Sequence, residues 1–477
     1  MNKTALSKHP LLTGTILLTL AGLLSRMIGF FYRIFLSHTI GAEGLGIYQL
    51  IFPIYALTFS LTVAGIQTAI SRYVAAVSIR SLTGGLGTDA QPYGSRRHGS
   101  GIDNSRQQSF GQRSSVYSSM GRQPGSITYL YAGLALSLLL SFLCTFFLYQ
   151  YAEALAIHVL KEVRCVPLLK ILSLTVPFGA IHACVNGYYY GLQKTSVPAI
   201  SQLSEQLARV GGVYLMYLVA SEQGRPVTIE MAVWGLVIGE IVSVLYSVSF
   251  TRFHKSRGGL SFAMGQLAIM AAPLTVSRVL INLFQSMEAI LIPGRLQAFG
   301  YQADEALSVY GVLTGMAMPM IFFPSAIANS VSVMLLPAIS EAQAKQDHEY
   351  IKKAVKKSCF YCLVLGLSCT LVFLLLGRLL GRIMFANQLA GTFIMVLGWI
   401  CPFLYLTTTL SSILNGLGKT GTTMLLNLIS SGIRILFVAF LIPSMGIKAY
   451  LFGMLVSHLF DSGAAVLILR KLVWGKA

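Results

Sequence analysis

The sequence is short of charged residues, and acidic residues are especially scarce. Only 11% of its 477 residues are charged, against about 25% in an average soluble domain. Apolar residues make up 55% of the chain, and Lys and Arg outnumber Asp and Glu by 35 to 16. Such a chain cannot cover a soluble domain with polar surface, so the composition predicts an integral membrane protein.

Patterns typical of enzymes and of metal sites are also missing. The seven cysteines are odd in number and lie mostly within apolar runs, so they predict neither a disulfide framework nor a zinc site. No HExxH motif and no Gly-x-Ser-x-Gly elbow occurs. The run from Asn415 to Thr420 resembles the end of a phosphate loop, but Ile413 stands where the first glycine belongs. We therefore expect a protein that is not an enzyme and that has no ATP, metal or other cofactor site.

Long apolar runs dominate what is present. Runs of about 20 to 30 residues suit transmembrane helices rather than the short alternating strands of an outer-membrane barrel. The fold class predicted is an all-α integral membrane protein with about twelve transmembrane spans, near residues 11–36, 46–71, 127–149, 166–190, 198–220, 229–251, 264–292, 308–338, 358–376, 391–413, 421–442 and 449–469.

The basic residues are distributed unevenly between the two sides of these spans. Of the 35 Lys and Arg residues, 22 fall on the side of the N-terminus, seven on the opposite side and six inside spans. The positive-inside rule then places both termini in the cytoplasm. We expect the protein in a bacterial cytoplasmic membrane. The net charge of +19 faces anionic membrane lipids, and no nucleic-acid partner is expected.

Short motifs repeat between the first six spans and the last six. Ser25 and Arg26 recur 252 residues later as Ser277 and Arg278, and Arg209 recurs 225 residues later as Arg434. Because six spans separate the copies, the halves enter the membrane in the same orientation, as parallel repeats. We predict an N-terminal lobe over 1–252, a linker over 253–263 and a C-terminal lobe over 264–477. The Gly/Ser/Arg-rich segment 81–126 is predicted to be a disordered cytoplasmic insertion.

Three arginines inside spans have no acidic residue nearby in sequence. Arg26 and Arg33 lie seven residues apart on the first span, on the same helix face as Gly22 and Gly29. Arg278 lies on the seventh span. An arginine at this depth must face water, form a pair or extend to a headgroup. Structural bonding of Arg26 and extension of Arg33 to the headgroups remain alternatives to an anion site.

Polar side chains accompany these arginines on four spans. Asn282 and Gln285 share a face with Arg278, and Gln67 and Asn329 lie on the second and eighth spans. We expect spans one, two, seven and eight to line a hydrated cavity in which these residues bind the substrate, with Glu288 as a candidate for coupling to sodium or protons. Glu205 and Arg209 are four residues apart and are predicted to form a structural pair. The segment 341–358 is predicted to be a separate amphipathic helix on the inner surface.

Three stretches resemble a known family, namely TGTILLTLAGLLSRMIGFFYRIFLSHTIGAEGLGIYQL, PAISQLSEQLARV and LLPAISEA. They resemble the stage V sporulation protein B group of polysaccharide and oligosaccharide-lipid exporters, in the superfamily that includes lipid II flippases and multidrug and toxin extruders. The resemblance implies a MATE-like pair of six-helix lobes around a V-shaped cavity. It also implies a polyprenyl-diphosphate-linked saccharide or peptidoglycan precursor as cargo and a link to the spore cortex. Important arginines of lipid II flippases correspond to Arg26 and Arg33, although the spacing here is seven rather than six.

Three functional hypotheses follow. The first is a flippase for a lipid-linked saccharide, working by alternating access. The second is a cation-coupled drug exporter of the same architecture, which needs a carboxylate in the cavity. The third is a scaffold for cell-wall synthesis enzymes, and only the predicted insertion 81–126 supports it.

Overall fold

The computed structural model describes residues 10–83, 124–254 and 259–474, and within these ranges the chain forms helices and no strands. The long helices are numbered α1 to α12 in chain order: Pro10–Thr39, 41–83, Ser126–Gln150, Cys165–Gly191, Ser196–Glu222, Ile229–Ser249, Leu260–Phe299, 303–344, His348–Phe385, 388–416, Thr420–Met445 and Ile447–Trp474. Helix α2 contains a turn at Ile51, and α8 is broken between Phe322 and Ser325.

These helices confirm the predicted fold class. Each predicted span lies on one of α1 to α12, although the sixth helix ends at Ser249, two residues before the prediction. Eleven helices of the described chain are long and apolar enough to cross a membrane, when the two arms of α8 are counted separately and α5 does not qualify. The number is up to twelve if the two arms of α10, bent by 56°, are one span. The protein is therefore a multi-pass membrane protein.

Two predicted boundaries differ from the structure. The expected surface helix over 341–358 is wrong, because α8 continues to Ala344 and His348 already begins the 38-residue α9. The Asp347 side chain accepts a hydrogen bond from the Tyr350 amide at 2.9 Å, and this cap starts α9 there. Helix α7 begins at Leu260, so the last residues of the predicted linker are helical. Most of the predicted insertion, 84–123, lies outside the described residues.

The pattern of helix contacts repeats between the first six helices and the last six. Helix α1 packs on α5, and α7 packs on α11. The same relation holds between α2 on α4 and α8 on α10, and between α5 on α6 and α11 on α12. Equivalent helices thus make equivalent contacts, which agrees with the parallel repeat in the sequence.

The two halves meet tightly at one end of the molecule. At the crossing of α2 and α8, a Cβ on Gly46 would lie 2.0 Å from the Leu307 carbonyl oxygen, and a Cβ on Gly311 would lie 2.1 Å from that of Ala42. The missing side chains let the two backbones touch. Because any larger residue would overlap with backbone, this contact depends on both glycines.

A set of ion pairs surrounds this crossing. Arg164, in the loop before α4, bonds Glu43 at the start of α2 and Asp304 at the start of α8, the latter at 3.0 Å. It also bonds its neighbour Glu162 at 2.7 Å. The hydrogen bonds to Glu162 and Glu43 raise the pKa of Arg164. We call the Gly46–Gly311 crossing and these ion pairs the closed rim.

Candidate substrate cavity

A cavity of about 420 Å³ lies between α1 and α8. Arg26 lines it from α1 together with Gly22, and Asn329 lines it from α8. Nothing lies within 4 Å of the position where a Cβ on Gly22 would be. The open face predicted beside Arg26 is thus present, and Tyr190 of α4 and Gln202 of α5 complete its wall.

The cavity continues along α1 toward Arg33. A second pocket of about 380 Å³ has Arg26 and Asn329 in common with the first and adds Gly29, Arg33 and Ser325 to the lining. Arg33 donates a long hydrogen bond of 3.5 Å to the carbonyl oxygen of Thr314 on α8. We call these two joined pockets the arginine cavity.

The lipid-facing side of α1 shows which way the arginines point. Leu17 and Leu24 are 38% and 47% exposed and belong to a row of exposed apolar side chains. Nine residues along a helix correspond to about 900°, or half a turn beyond two full turns. Arg26 and Arg33 each follow one of these leucines by nine residues, so both lie on the face opposite the lipid. Direct extension of Arg33 into the lipid headgroups therefore does not match its position.

The same relation holds on α7. Ile269, which is 80% exposed, precedes Arg278 by nine residues and lies on the opposite face. Ser277 contacts Met424 of α11, and Asn282 contacts α2. Arg278 and Gln285 are both exposed and share a helix face, but neither lines the arginine cavity between α1 and α8.

No acidic side chain neutralises these arginines within the described parts of the chain. The ion pairs found there involve other basic residues, and none includes Arg26, Arg33 or Arg278. The arginine cavity therefore carries uncompensated positive charge, which attracts an anion.

Three of the four predicted polar residues lie in three different places. Asn329 lines both parts of the arginine cavity. Gln67 lines a different pocket, inside the first six helices. Asn282 instead donates a hydrogen bond of 3.2 Å to the carbonyl oxygen of Ala56, so its amide serves the packing of α7 on α2.

Glu288 does not occupy the expected place beside the cavity. Its carboxylate is buried and accepts two hydrogen bonds from Nε of Arg434, at 2.8 and 2.9 Å, and one from the Tyr450 hydroxyl at 2.9 Å. This carboxylate faces α11 and α12 rather than α1, and it forms a buried ion pair with Arg434. Proximity in sequence to Arg278 suggested the cavity, but the side chain leaves α7 on another face.

The predicted pair of Glu205 and Arg209 forms within α5, and both side chains line a pocket of about 370 Å³. Glu240 of α6 lies in the same pocket and accepts a hydrogen bond of 3.4 Å from the Tyr55 hydroxyl. His182 of α4 has Nδ1 3.2 Å from a Glu240 oxygen and Nε2 2.7 Å from the Ser201 hydroxyl. We call this the inner pocket of the N-terminal half.

Sequence reasoning missed most of the inner pocket. His182 carried a signal in the sequence, because an ionisable residue inside a span is by default a candidate for function. The polar stripe Gln202, Glu205, Gln206 and Arg209 on α5 was a further signal, because its spacing places all four on one helix face.

Comparison with known proteins agrees with this architecture. The family model described as polysaccharide biosynthesis protein matches residues 11–83 and 108–343. The chain belongs to this family. A second model, described as MatE, matches residues 273–440.

Relatives of this chain include stage V sporulation protein B of Bacillus subtilis, which is 27% identical over 457 residues, covering 93% of this chain and 80% of the relative. Two solved structures have a TM-score of 0.67 at 13% identity. One is an inward-facing multidrug resistance MATE family transporter of the MOP superfamily, with 94% of this chain and 95% of that chain covered. The other is the lipid II flippase MurJ, with 95% and 87% covered. The fold is therefore that of MOP-superfamily transporters.

The family match includes every residue named above from the arginine cavity and the inner pocket. Arg434, the partner of Glu288, lies outside that match and inside the MatE match. Both candidate binding regions thus belong to the part of the chain that the polysaccharide biosynthesis family shares.

Proposed function

We propose that this protein is a flippase that moves a polyprenyl-diphosphate-linked saccharide from the inner to the outer leaflet of the bacterial cytoplasmic membrane. The observation that carries the proposal is the position of Arg26. It lines a cavity between the two halves, faces away from lipid and has no acidic partner among the described residues. Stage V sporulation protein B and the flippase MurJ are the relatives that support this reading.

The chemistry of arginine suits a diphosphate. A guanidinium group offers a planar fork of donors that forms paired, charge-assisted hydrogen bonds with phosphate oxygens. Arg26 and Arg33 line the cavity from α1, and Arg278 occupies the equivalent position on α7. Arg278 does not line the arginine cavity in this structure, so in this proposal it contacts the diphosphate when the two halves move against each other.

Transport requires the cavity to open to each side in turn. With both termini in the cytoplasm, as the charge distribution predicts, the closed rim is the outer side and the arginine cavity lies below it. In this proposal the N-terminal lobe, 1–252, and the C-terminal lobe, 264–477, rock against each other. The Gly46–Gly311 crossing then separates when the cargo is released outward.

The test is translocation of a labelled polyprenyl-diphosphate saccharide in vesicles containing the purified protein. Loss of a charge-assisted hydrogen bond costs about 1.5–3 kcal/mol, so Arg26→Ala and Arg278→Ala should each slow transport by roughly tenfold or more. Arg225→Ala is the matched control, since Arg225 is exposed in the loop between α5 and α6. Unchanged transport by both cavity variants would remove the proposed mechanism.

A cation-coupled exporter is the second candidate, and the inner pocket is the observation that favours it. Glu205 and Glu240 are carboxylates lining a pocket, and the MatE match covers part of the chain. If this function holds, cells expressing the protein resist cationic drugs and Glu240→Gln removes the resistance. If the protein is a flippase, neither the wild type nor Glu240→Gln should confer drug resistance.

A further inference from the structure

The inner pocket contains four carboxamide side chains whose hydrogen-bonding groups are unused. Within the described residues no hydrogen bond is made by the side chains of Gln67, Asn186, Gln202 and Gln206, and all four line this pocket. Asn186 is only 8% exposed, and its buried Oδ1 has no hydrogen-bond partner. A buried polar group without a partner is destabilising, so this amide suits a ligand that supplies the bond.

The amides converge because of their spacing on two neighbouring helices. Gln202 and Gln206 are four residues apart on α5, and His182 and Asn186 are four apart on α4. Residues at this spacing share one helix face. Both faces line the same pocket, which gives a wall with donors and acceptors side by side.

This pocket adjoins the arginine cavity. Tyr190 and Gln202 line both. In a polyprenyl-diphosphate saccharide the first sugar is bonded directly to the diphosphate, so its binding site must begin beside the phosphate site. Because it has Tyr190 and Gln202 in common with the pocket that contains Arg26, the inner pocket lies next to the proposed phosphate site.

We infer that the inner pocket holds the saccharide next to the diphosphate, with Gln202, Gln206 and Asn186 bonding its hydroxyl groups. A carboxamide can donate to one hydroxyl and accept from the next, which fits a sugar better than an ion. The inference rests on the proposed flippase function and assigns the sugar to residues other than the predicted Asn282 and Asn329.

The charges of the pocket favour a neutral, hydroxyl-rich ligand. Glu205 is paired with Arg209 and Glu240 with His182, so the carboxylates are fixed by neighbours and remain able to accept hydrogen bonds from hydroxyl groups. Two carboxylates also disfavour a second phosphate here, which leaves the diphosphate at Arg26.

Aromatic side chains provide a surface for the apolar face of a sugar ring. Tyr55, Phe59 and Tyr190 line the pocket, and the rings of Tyr55 and Phe59 lie 6.1 Å apart. The pocket volume of about 370 Å³ lies in the range of about 300–1,000 Å³ that is usual for small-ligand sites.

The experiment compares binding of two kinds of lipid to the purified full-length protein in nanodiscs. The probes are polyprenyl diphosphate without sugar and the same lipid carrying glucose, galactose or N-acetylglucosamine. Two lost hydrogen bonds of about 1 kcal/mol each correspond to at least tenfold in affinity. We expect at least one sugar-bearing lipid to bind about tenfold more tightly than the sugar-free lipid. The double variant Asn186→Ala/Gln206→Ala changes two residues that line the inner pocket and not the arginine cavity, so it should abolish that difference without weakening the sugar-free lipid.

Controls separate this inference from the flippase proposal. Arg26→Ala should weaken all the lipids, and Gln297→Ala, an exposed amide on α7, should weaken none. Asn186→Asp keeps the side-chain shape and should also reduce the sugar preference, which guards against misfolding of the double variant. Equal weakening of all lipids by the double variant would overturn the sugar site, as would the absence of any sugar preference in the wild type. If the double variant changed only the dependence of lipid binding on sodium or pH, the pocket would be an ion site, and this too would overturn the sugar site. Failure of every lipid to bind would refute the flippase itself.

Discussion

The glycine contact at the closed rim determines whether the two halves can meet there. In Gly311→Ala the new Cβ would lie 2.1 Å from the carbonyl oxygen of Ala42 and 2.5 Å from the amide nitrogen of Gly46. Ordinary van der Waals contacts of a Cβ begin at about 3.4 Å, so α8 would have to move more than 1 Å from α2. Both obstacles are backbone atoms, which cannot rotate away.

The expected magnitude follows from the cost of overpacking. Inserting one methyl group into a tight contact costs about 1–3 kcal/mol. The clash exists only while the rim is closed, so the cost shifts the equilibrium toward the open rim by roughly 5- to 150-fold.

The assay is a distance measurement across the rim by double electron–electron resonance. Spin labels at Glu153 and Glu305, both exposed and in different halves, are introduced after replacement of the native cysteines. The Gly311→Ala protein should populate longer distances than the wild type. Gly294→Ala on α7 is the matched control, because nothing lies within 4 Å of its Cβ position.

An unchanged distance distribution in a well-folded Gly311→Ala protein would refute this reasoning. It would mean that α2 and α8 accommodate the methyl group without separating, and that the glycine contact does not hold the rim closed. Longer distances in Gly294→Ala as well would show that helix substitutions in general disturb the labels.

Two further predictions concern ion pairs. Arg164→Gln removes the exposed bridge to Asp304, which joins the two halves and is worth about 0.2–1 kcal/mol. We therefore expect a rim opening of less than about tenfold, which high salt should reproduce in the wild type. No opening at all would contradict this prediction. Glu288→Gln leaves the buried charge of Arg434 uncompensated and should lower the free energy of unfolding by about 3–5 kcal/mol, which a lower melting temperature in detergent would show. The double variant Glu288→Leu/Arg434→Met should recover most of this loss. Equal melting temperatures of Glu288→Gln and the wild type would refute a stabilising pair.

Much of the fold could be predicted because lipid imposes simple rules. Apolar runs such as that of α3, Ser126–Gln150, must form helices in a medium that cannot bond free backbone groups. The start of α9 was misplaced because amphipathic residues before a span can equally form a separate surface helix. The cap at Asp347 is a local signal that favours the observed start.

The candidate site was predictable only in part. The open face of α1 next to Arg26 followed from helical spacing, since Gly22 and Arg26 are four residues apart. The partner of Glu288 did not follow, because Arg434 is 146 positions away in the chain and nothing local connects the two. The role of Asn282 was missed for the same reason, since it bonds a backbone oxygen of another helix.

The amino-acid order alone determined that this is a multi-pass helical membrane protein, that its halves repeat, and which face of α1 carries the arginines. These properties depend on local spacing and on hydrophobicity. The tertiary structure alone decided which charges are neutralised. Glu288 and Glu240 are both carboxylates inside membrane helices, but Glu288 is buried in an ion pair with Arg434, whereas Glu240 lies beside His182 and lines the inner pocket. Charge compensation acts through space between helices that are distant in sequence, so only the packed helices reveal it.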